Sequence, residues 1–221
     1  MAEETPYERY IHGDKILSFQ KKESELVSDG ERDFQGVQQE SEFIWNRIIP
    51  MIRRAETRMK SGDIPEAVTM LEQAAILWSG LTTKTEELLW RLWPGDFLKI
   101  RKVIGAGGST ADSPRYREAE ALARTLYASY EQVLEKRRVA LKRLFMGDSG
   151  QSDLRLLTKA MMLYDYRVQE FNLAHLYLVF AEIGDKTVGL KGGTTDYLIK
   201  RYSQYLFPKL WEEINEIYRE P

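Results

Sequence analysis

The stretch "LRLLTKAMMLYDYRVQEFNLAHLYLVFAEI", residues 154–183, is the most apolar helical segment of the chain. Large apolar side chains recur in it every three or four residues, which places them on one side of an α-helix. The periodicity predicts a long core helix with one of the chain's two histidines inside an apolar face. This stripe consists of Tyr164, Val168, Phe171, His175, Val179 and Ile183.

Helical periodicity continues through most of the remaining chain, and no alternating β-branched segment interrupts it. The sequence therefore predicts one all-α domain over residues 1–221, built as a bundle of long helices. We expect loops at 25–34, at the glycine-rich segment 105–114 and at a second glycine-rich segment, 189–195. Further helices are expected at 7–20, 41–60, 64–93, 96–104, 115–145 and 196–220, with a kink at Pro50 and Pro65 in a first turn.

Composition excludes several classes of protein. Of the 221 residues, 43% are hydrophobic and 30% are charged, and the net charge of -2 favours neither nucleic acid nor an anionic membrane as a partner. The chain has no cysteine, so disulfides, thiolate metal ligands and a cysteine nucleophile are excluded. The N-terminus is acidic and no apolar run approaches the ~18 residues that span a bilayer, so a cytoplasmic protein is expected.

The usual catalytic motifs are missing. Two histidines cannot build a multi-histidine metal site, and no serine lies in a G-x-S-x-G sequence. The segments "GAGGST" and "GLKGGTT" lack the G-K-[ST] ending of a phosphate-binding loop. His175 then has two interpretations. It is a core histidine bonded to a carbonyl group, or it is the single axial ligand of a haem iron held against an apolar wall.

Four segments, in this order, resemble the tryptophan 2,3-dioxygenase family of the haem-dependent aromatic oxygenases. They are "YERYIHGDKILSFQ" (7–20), "QQESEFIWNRIIPMIRRAE" (38–56), "DFLKIRKVIGAGGSTADSPRYREAEAL" (96–122), and "FNLAHLYLVFAEIG" (171–184) with "GLKGGTTDYLIKRYSQYLFPKLWE" (189–212). The fourth segment carries the family's proximal histidine and its F-P-x-L-W ending. The matching residues there include His175, Gly184, Phe207, Pro208 and Trp211.

The resemblance implies a bundle of the tryptophan 2,3-dioxygenase type with haem b between its helices. It implies that His175 binds the iron, that O2 binds on the opposite face, and that L-tryptophan or a close analogue is oxidised. Arg101 matches the arginine that holds the substrate carboxylate, and Phe97 matches an aromatic residue of the substrate pocket. Thr194 and Thr195 match the loop beside the substrate ammonium, although a solvated hinge is the alternative for this loop.

The resemblance also implies a homo-oligomer, a tetramer or a dimer, in which residues 1–20 reach a neighbouring subunit. Tyr7, Tyr10 and Ile11 would complete that subunit's substrate site. The alternative is that these three residues form an amphipathic cap on their own bundle.

The chain departs from the family on the distal side of the haem. Counting back from Glu42 places the family's distal histidine at Asp29, with Ser28 and Gly30 as alternatives. Asp29, Ser28 or water would therefore accept the indole proton. Ala174 stands where the family has arginine, and Phe171 stands where it has tryptophan. Two alternatives therefore remain: a haem-dependent monooxygenase of another aromatic amino acid, and a non-catalytic haem carrier or interaction protein.

Overall fold

The computed structural model describes residues 5–105, 110–147, 150–188 and 195–219. Within these ranges every regular element longer than one residue is helical, which confirms the predicted all-α class. No helix in the described part of the chain combines the length and apolarity needed to cross a membrane. The α-helices are α1 (Pro6–Ile11), α2 (Gly13–Leu17), α3 (Glu31–Ser61), α4 (Ile64–Arg91), α5 (Pro94–Ile104), α6 (Pro114–Arg137), α7 (Leu141–Met146), α8 (Ser152–Ile183), α9 (Thr195–Tyr202) and α10 (Pro208–Arg219).

A tight turn joins α3 to α4 and makes them neighbours. Gly62 follows the last residue of α3 with φ 85°, a left-handed conformation that glycine adopts without the steric cost of a Cβ. The Asp63 side chain then accepts a hydrogen bond from the backbone N–H of Glu66 and caps α4. Pro65 lies in the first turn of α4, as predicted, where no backbone donor is lost.

The core lies among the four long helices. Helix α4 packs against both α3 and α8, and α6 packs against α3. The apolar stripe predicted on α8 faces this core from Tyr164 to Phe171. The largest fully buried side chains are Trp45, Ile48, Ile52, Met59, Ile64, Leu71, Trp78, Leu81, Leu88, Tyr130, Tyr164 and Phe207.

A smaller apolar cluster forms where α5 crosses the C-terminal part of α8. Its buried members are Leu88, Leu92, Ile100 and Leu178. The chain before α3 packs against this corner, because a Cβ on Gly30 would lie 2.8 Å from Leu92 Cδ1. The corner therefore positions α5, and with it Phe97 and Arg101, against the helix that carries His175.

Four of the predicted helices differ from the structure. The predicted helix 7–20 is divided at His12, which has φ 54°, into α1 and α2. Helix α3 begins at Glu31, inside the segment expected to be a loop. The predicted helix 115–145 is interrupted at Arg138, which has φ 55° and separates α6 from α7. The predicted helix 196–220 is divided into α9 and α10 by residues 203–207.

A buried carboxylate fixes the turn between α9 and α10. Asp165 of α8 is fully buried and accepts hydrogen bonds from the backbone N–H groups of Leu206 (3.0 Å) and Phe207 (3.1 Å). It also accepts one from Trp211 Nε1, at 2.9 Å. The F-P-x-L-W segment noted in the sequence is thus the part of the C-terminus that attaches to the core.

Candidate functional site

His175 lies in α8, partly buried, one turn beyond the aromatic core. Its Nδ1 shares a hydrogen bond of 2.9 Å with the Tyr202 hydroxyl, and its ring stacks on Phe171 at 6.1 Å. Burial, with a smaller contribution from the positive charge of Arg201, lowers the pKa of His175 to about 4. The imidazole is therefore neutral at physiological pH, and the hydrogen bond at Nδ1 leaves Nε2 as the nitrogen for another partner.

Tyr202, the partner of His175, is not among the site residues predicted from the sequence. Tyr202 ends α9, 27 residues beyond the histidine, and its ring meets the imidazole edge-on at 5.7 Å. The neighbouring Arg201 pairs with Glu120 of α6 at 3.1 Å. These contacts join α9 to both α8 and α6. No local pattern in the sequence predicts them, since both depend on how α9 folds back over the bundle.

Arg101 and Thr195 attach to the same short loop after α8. Arg101 Nη2 donates a hydrogen bond of 2.7 Å to the Val188 carbonyl oxygen. The Thr195 hydroxyl donates to the Asp185 carbonyl oxygen. The structure thus brings the predicted carboxylate-binding residue and one predicted loop residue to one segment, 184–188. Thr194 lies outside the described residues.

Phe97, one turn before Arg101 in α5, is partly buried and contacts the ring of Phe34 in α3 at 5.8 Å. It belongs to the apolar cluster around Leu178. This environment suits an aromatic pocket wall, the role that the resemblance implies, and it also suits ordinary packing.

The two predicted distal residues differ in burial. Asp29 is exposed, whereas the Ser28 Oγ atom is buried and has no hydrogen-bond partner. Both precede the first turn of α3, beside the close approach of Gly30 to Leu92 and Asp96. Of the two, Ser28 is the residue whose polar atom faces the protein interior.

The N-terminal residues lie apart from the described cavities. Tyr7 and Tyr10 of α1 are 69% and 87% exposed, and Ile11 is partly buried. An amphipathic cap on the same bundle would bury these rings. The observed exposure therefore does not favour that alternative.

One cavity, of about 440 Å³, lies between the start of α3, the end of α5 and the turn that precedes α6. We call it the α3–α5 cavity. Its lining includes Phe34, Gln38, Trp45, Ile104 and Thr110. The Trp45 indole nitrogen is buried and has no hydrogen-bond partner among the described residues.

A second cavity, of about 390 Å³, lies beneath α9, and we call it the α9 cavity. Trp78 of α4, Tyr116 of α6, Tyr164 and Asn172 of α8, and Tyr202 of α9 line it. Trp45, Tyr116 and Phe171 form a chain of aromatic contacts, 5.5 to 6.5 Å between ring centroids, that runs from the α3–α5 cavity to the α9 cavity.

No protein-family model matches this chain, and no curated protein matches it. The site therefore has to be judged on its own residues. Among the described residues, no cluster of three or more histidine, cysteine, aspartate or glutamate side chains is placed to hold a metal ion. A haem iron needs only one such side chain from the protein, so His175 is the residue on which a cofactor proposal depends.

Glu182, near the end of α8, is a buried acidic residue that the sequence analysis did not single out. It is 8% exposed, and its Oε1 atom has no hydrogen-bond partner. Burial raises the pKa of its carboxyl to about 8, so that the group is mainly protonated at neutral pH. Helix α8 thus carries two titratable groups, His175 and Glu182, that are both mainly uncharged at neutral pH.

Proposed function

We propose that this protein is a haem-dependent oxygenase that acts on L-tryptophan or a close aromatic analogue. The proposal depends chiefly on one observation: His175 is neutral, lies beside an aromatic wall and is held at Nδ1 by Tyr202. The four-segment resemblance to the tryptophan 2,3-dioxygenase family supports the same assignment.

The chemistry of His175 fits an axial haem ligand. A ligating histidine must be neutral, and its second ring nitrogen usually donates a hydrogen bond that fixes the tautomer. A proton on Nδ1 would be donated to the Tyr202 oxygen, so that Nε2 keeps its lone pair for iron. The bound haem would supply the binding and activation of O2.

In this proposal Arg101 binds the substrate carboxylate. One of its N–H groups is used by the Val188 carbonyl oxygen, which orients the guanidinium and leaves further donors for a planar anion. Helix α5 packs on α8, so the substrate would be held against the helix that carries His175. Phe97 would contact the aromatic ring of the substrate. Ser28, with its unpartnered hydroxyl, is favoured over Asp29 as the acceptor of the ring N–H proton.

The first test is haem binding by the purified protein. Reconstitution with haem b should give a Soret band at one haem per chain. The variant His175→Ala should lose this band, and added imidazole should restore it. The matched control is His12→Asn, since His12 is the only other histidine and is exposed with φ 54°, a conformation that asparagine tolerates. An unchanged spectrum in His175→Ala would exclude His175 as the ligand.

The second test separates an oxygenase from a haem carrier. L-Tryptophan should shift the Soret band of the wild-type protein. Arg101→Ala should weaken this binding about 30- to 1000-fold, because a charge-assisted pair in a water-poor pocket contributes roughly 2–4 kcal/mol. Tryptamine, which lacks the carboxylate, should bind both proteins equally weakly. Equal losses for the two ligands would contradict the role of Arg101, and the absence of any shift would favour the carrier.

A further inference from the structure

The C-terminal end of helix α9 is attached to the bundle by two adjacent polar side chains. The Tyr202 hydroxyl shares a hydrogen bond of 2.9 Å with His175 Nδ1 in α8. Arg201 donates a hydrogen bond of 3.1 Å to Glu120 Oε2 in α6. Of the described helix, only Thr195 at the opposite end is buried. Apolar packing therefore contributes little to the position of this end of α9, and the polar contacts determine it.

Glu120 is itself fixed on α6. Its Oε1 atom accepts a hydrogen bond of 3.2 Å from Arg124, one turn further along the same helix. Its Oε2 atom meets Arg201, and the side chains of Arg201 and Glu120 are only 26% and 25% exposed. Partial burial strengthens this pair relative to one in bulk water, because the effective dielectric constant is lower. The Arg201 guanidinium also lies over the Tyr116 ring, 5.9 Å from its centroid, so two groups on α6 fix its position.

We propose that Glu120 and Arg201 are positioning residues for His175. They act through Tyr202: the two residues of α9 are consecutive, so a guanidinium fixed on α6 also fixes the backbone that carries the Tyr202 hydroxyl. That hydroxyl holds the imidazole at Nδ1, whichever of the two atoms is the donor, and leaves Nε2 available. A hydrogen bond at one ring nitrogen selects both the tautomer and the orientation of a histidine.

This inference deepens the proposed haem-dependent function and rests on it for its functional meaning. It names residues outside α8 that would orient the axial ligand. The positioning itself is a property of the haem-free chain and can be measured there. A failure of this inference and a failure of the haem proposal are therefore distinguishable.

The first measurement uses the two histidines of the haem-free, full-length protein. After selective labelling of histidine with nitrogen-15, NMR gives the chemical shifts of both ring nitrogens, and the variant His12→Asn identifies the His175 signals. In the wild type we expect one protonated and one unprotonated nitrogen, the pattern of a single tautomer. Tyr202→Phe should move the two shifts towards each other, because the tautomers then exchange.

Glu120→Ala tests the contribution of α6. It leaves Tyr202 in the chain, and alanine favours the helix that carries the change. We expect the His175 shifts to move in the same direction as in Tyr202→Phe. Glu120→Gln keeps an acceptor oxygen for Arg201 and should give an intermediate result. The matched control is Glu118→Ala on the same helix, since Glu118 pairs with exposed Arg53 of α3, and it should leave the His175 shifts unchanged.

The second measurement is the affinity of each variant for haem b, followed by the Soret band. Loss of a group that orients a ligating histidine typically weakens metal binding about 10- to 100-fold. We expect a loss in this range for Glu120→Ala and none for Glu118→Ala. Circular dichroism checks that both variants keep the helical content of the wild type.

Wild-type His175 shifts in Glu120→Ala or in Tyr202→Phe would overturn the inference. Wild-type haem affinity in Glu120→Ala, in a protein that binds haem through His175, would also contradict it. If the shifts change as expected and the wild-type protein binds no haem, the positioning stands and the haem proposal fails.

Discussion

At the scale of single residues, His175 and Glu182 are uncharged near neutrality for the same physical reason. Burial penalises the charged form of each side chain, which lowers the pKa of the histidine to about 4 and raises that of the glutamate to about 8. The two residues lie seven positions apart in α8, so they occupy nearly the same side of the helix. An apolar cofactor would pack more favourably against these two neutral side chains than against charged ones.

Glu182→Gln should change how stability depends on pH. In the wild-type protein the unfolded chain ionises Glu182 near pH 4.5 and the folded chain only near pH 8, so the free energy of unfolding falls as pH rises between these values. Glutamine cannot ionise, so the variant does not lose this part of the free energy of unfolding as pH rises. We expect the variant to gain on the order of a few kcal/mol relative to the wild type between pH 4.5 and pH 8. Urea denaturation across this range measures the difference.

The control for this experiment is Glu86→Gln, at an exposed position of α4. Its stability should follow the wild-type pH dependence. Identical curves for Glu182→Gln and the wild type would show that Glu182 is not the group that titrates.

His175 contributes to the pH dependence with the opposite sign, since its lowered pKa makes the free energy of unfolding fall as pH drops from about 6.5 towards 4. Every variant retains His175, so its contribution to the pH dependence cancels when each variant is compared with the wild type.

Some of these residues could be predicted from the sequence and others could not. His175 stood out because helical spacing places it within an apolar stripe. Tyr202 and Asn172 gave no such signal, since a tyrosine or an asparagine near a helix end is common and its partner depends on tertiary packing. The burial of Glu182 also depends on packing, because its helical spacing alone does not say which neighbour covers it.

At the scale of elements, Asp165 is the attachment point of the C-terminal helices. Asp165→Asn should destabilise the fold by roughly 1–3 kcal/mol, because an amide keeps one acceptor oxygen but turns its NH2 group towards at least one of the three N–H groups that donate to Asp165. We expect the 203–207 turn to become sensitive to limited proteolysis at the same time. Asp153→Asn is the control, since Asp153 is part of an exposed pair with Arg137 at 3.2 Å. Equal stability of the two variants would contradict the role assigned to Asp165.

Some helix ends can be predicted from the residues next to them and others cannot. Pro208 marks the first turn of α10, so the division of the last helix could have been predicted from the preference of proline for that position. The break at Arg138 has no such mark, because the residues around it contain neither glycine nor proline. It is stabilised by contacts distant in sequence, since Val139, Leu141 and Leu144 turn into the main core.

At the scale of the whole molecule, the N-terminal segment leaves apolar side chains in solvent. Tyr7, Tyr10, Leu17 and Phe19 are between 59% and 87% exposed. The four lie within one short segment of the chain, and large exposed apolar patches mark interaction sites. We expect the protein to form a homo-oligomer and deletion of residues 1–19 to give a folded monomer.

Light scattering coupled to size exclusion measures this change, and circular dichroism checks that the truncated bundle is still helical. Exchange of exposed Lys102 in α5 for Gln is the control and should leave the oligomer intact. A full-length protein that is monomeric at every concentration would contradict the expectation.

The all-α class of the whole molecule followed from helical periodicity alone. The arrangement of the helices as in a tryptophan 2,3-dioxygenase remains a prediction from the four-segment resemblance.

Helix α9 has one further consequence, for the rate at which molecules leave the space beneath it. It spans Thr195–Tyr202 with one buried residue, and the side-chain bonds of Arg201 and Tyr202 attach it to the bundle. Such an element opens locally at a small fraction of the free energy of global unfolding. A molecule below α9 that is too wide for the open side of the cavity departs only when the helix lifts. The residence times of such molecules, even when they differ chemically, therefore converge on one value, the waiting time for that opening.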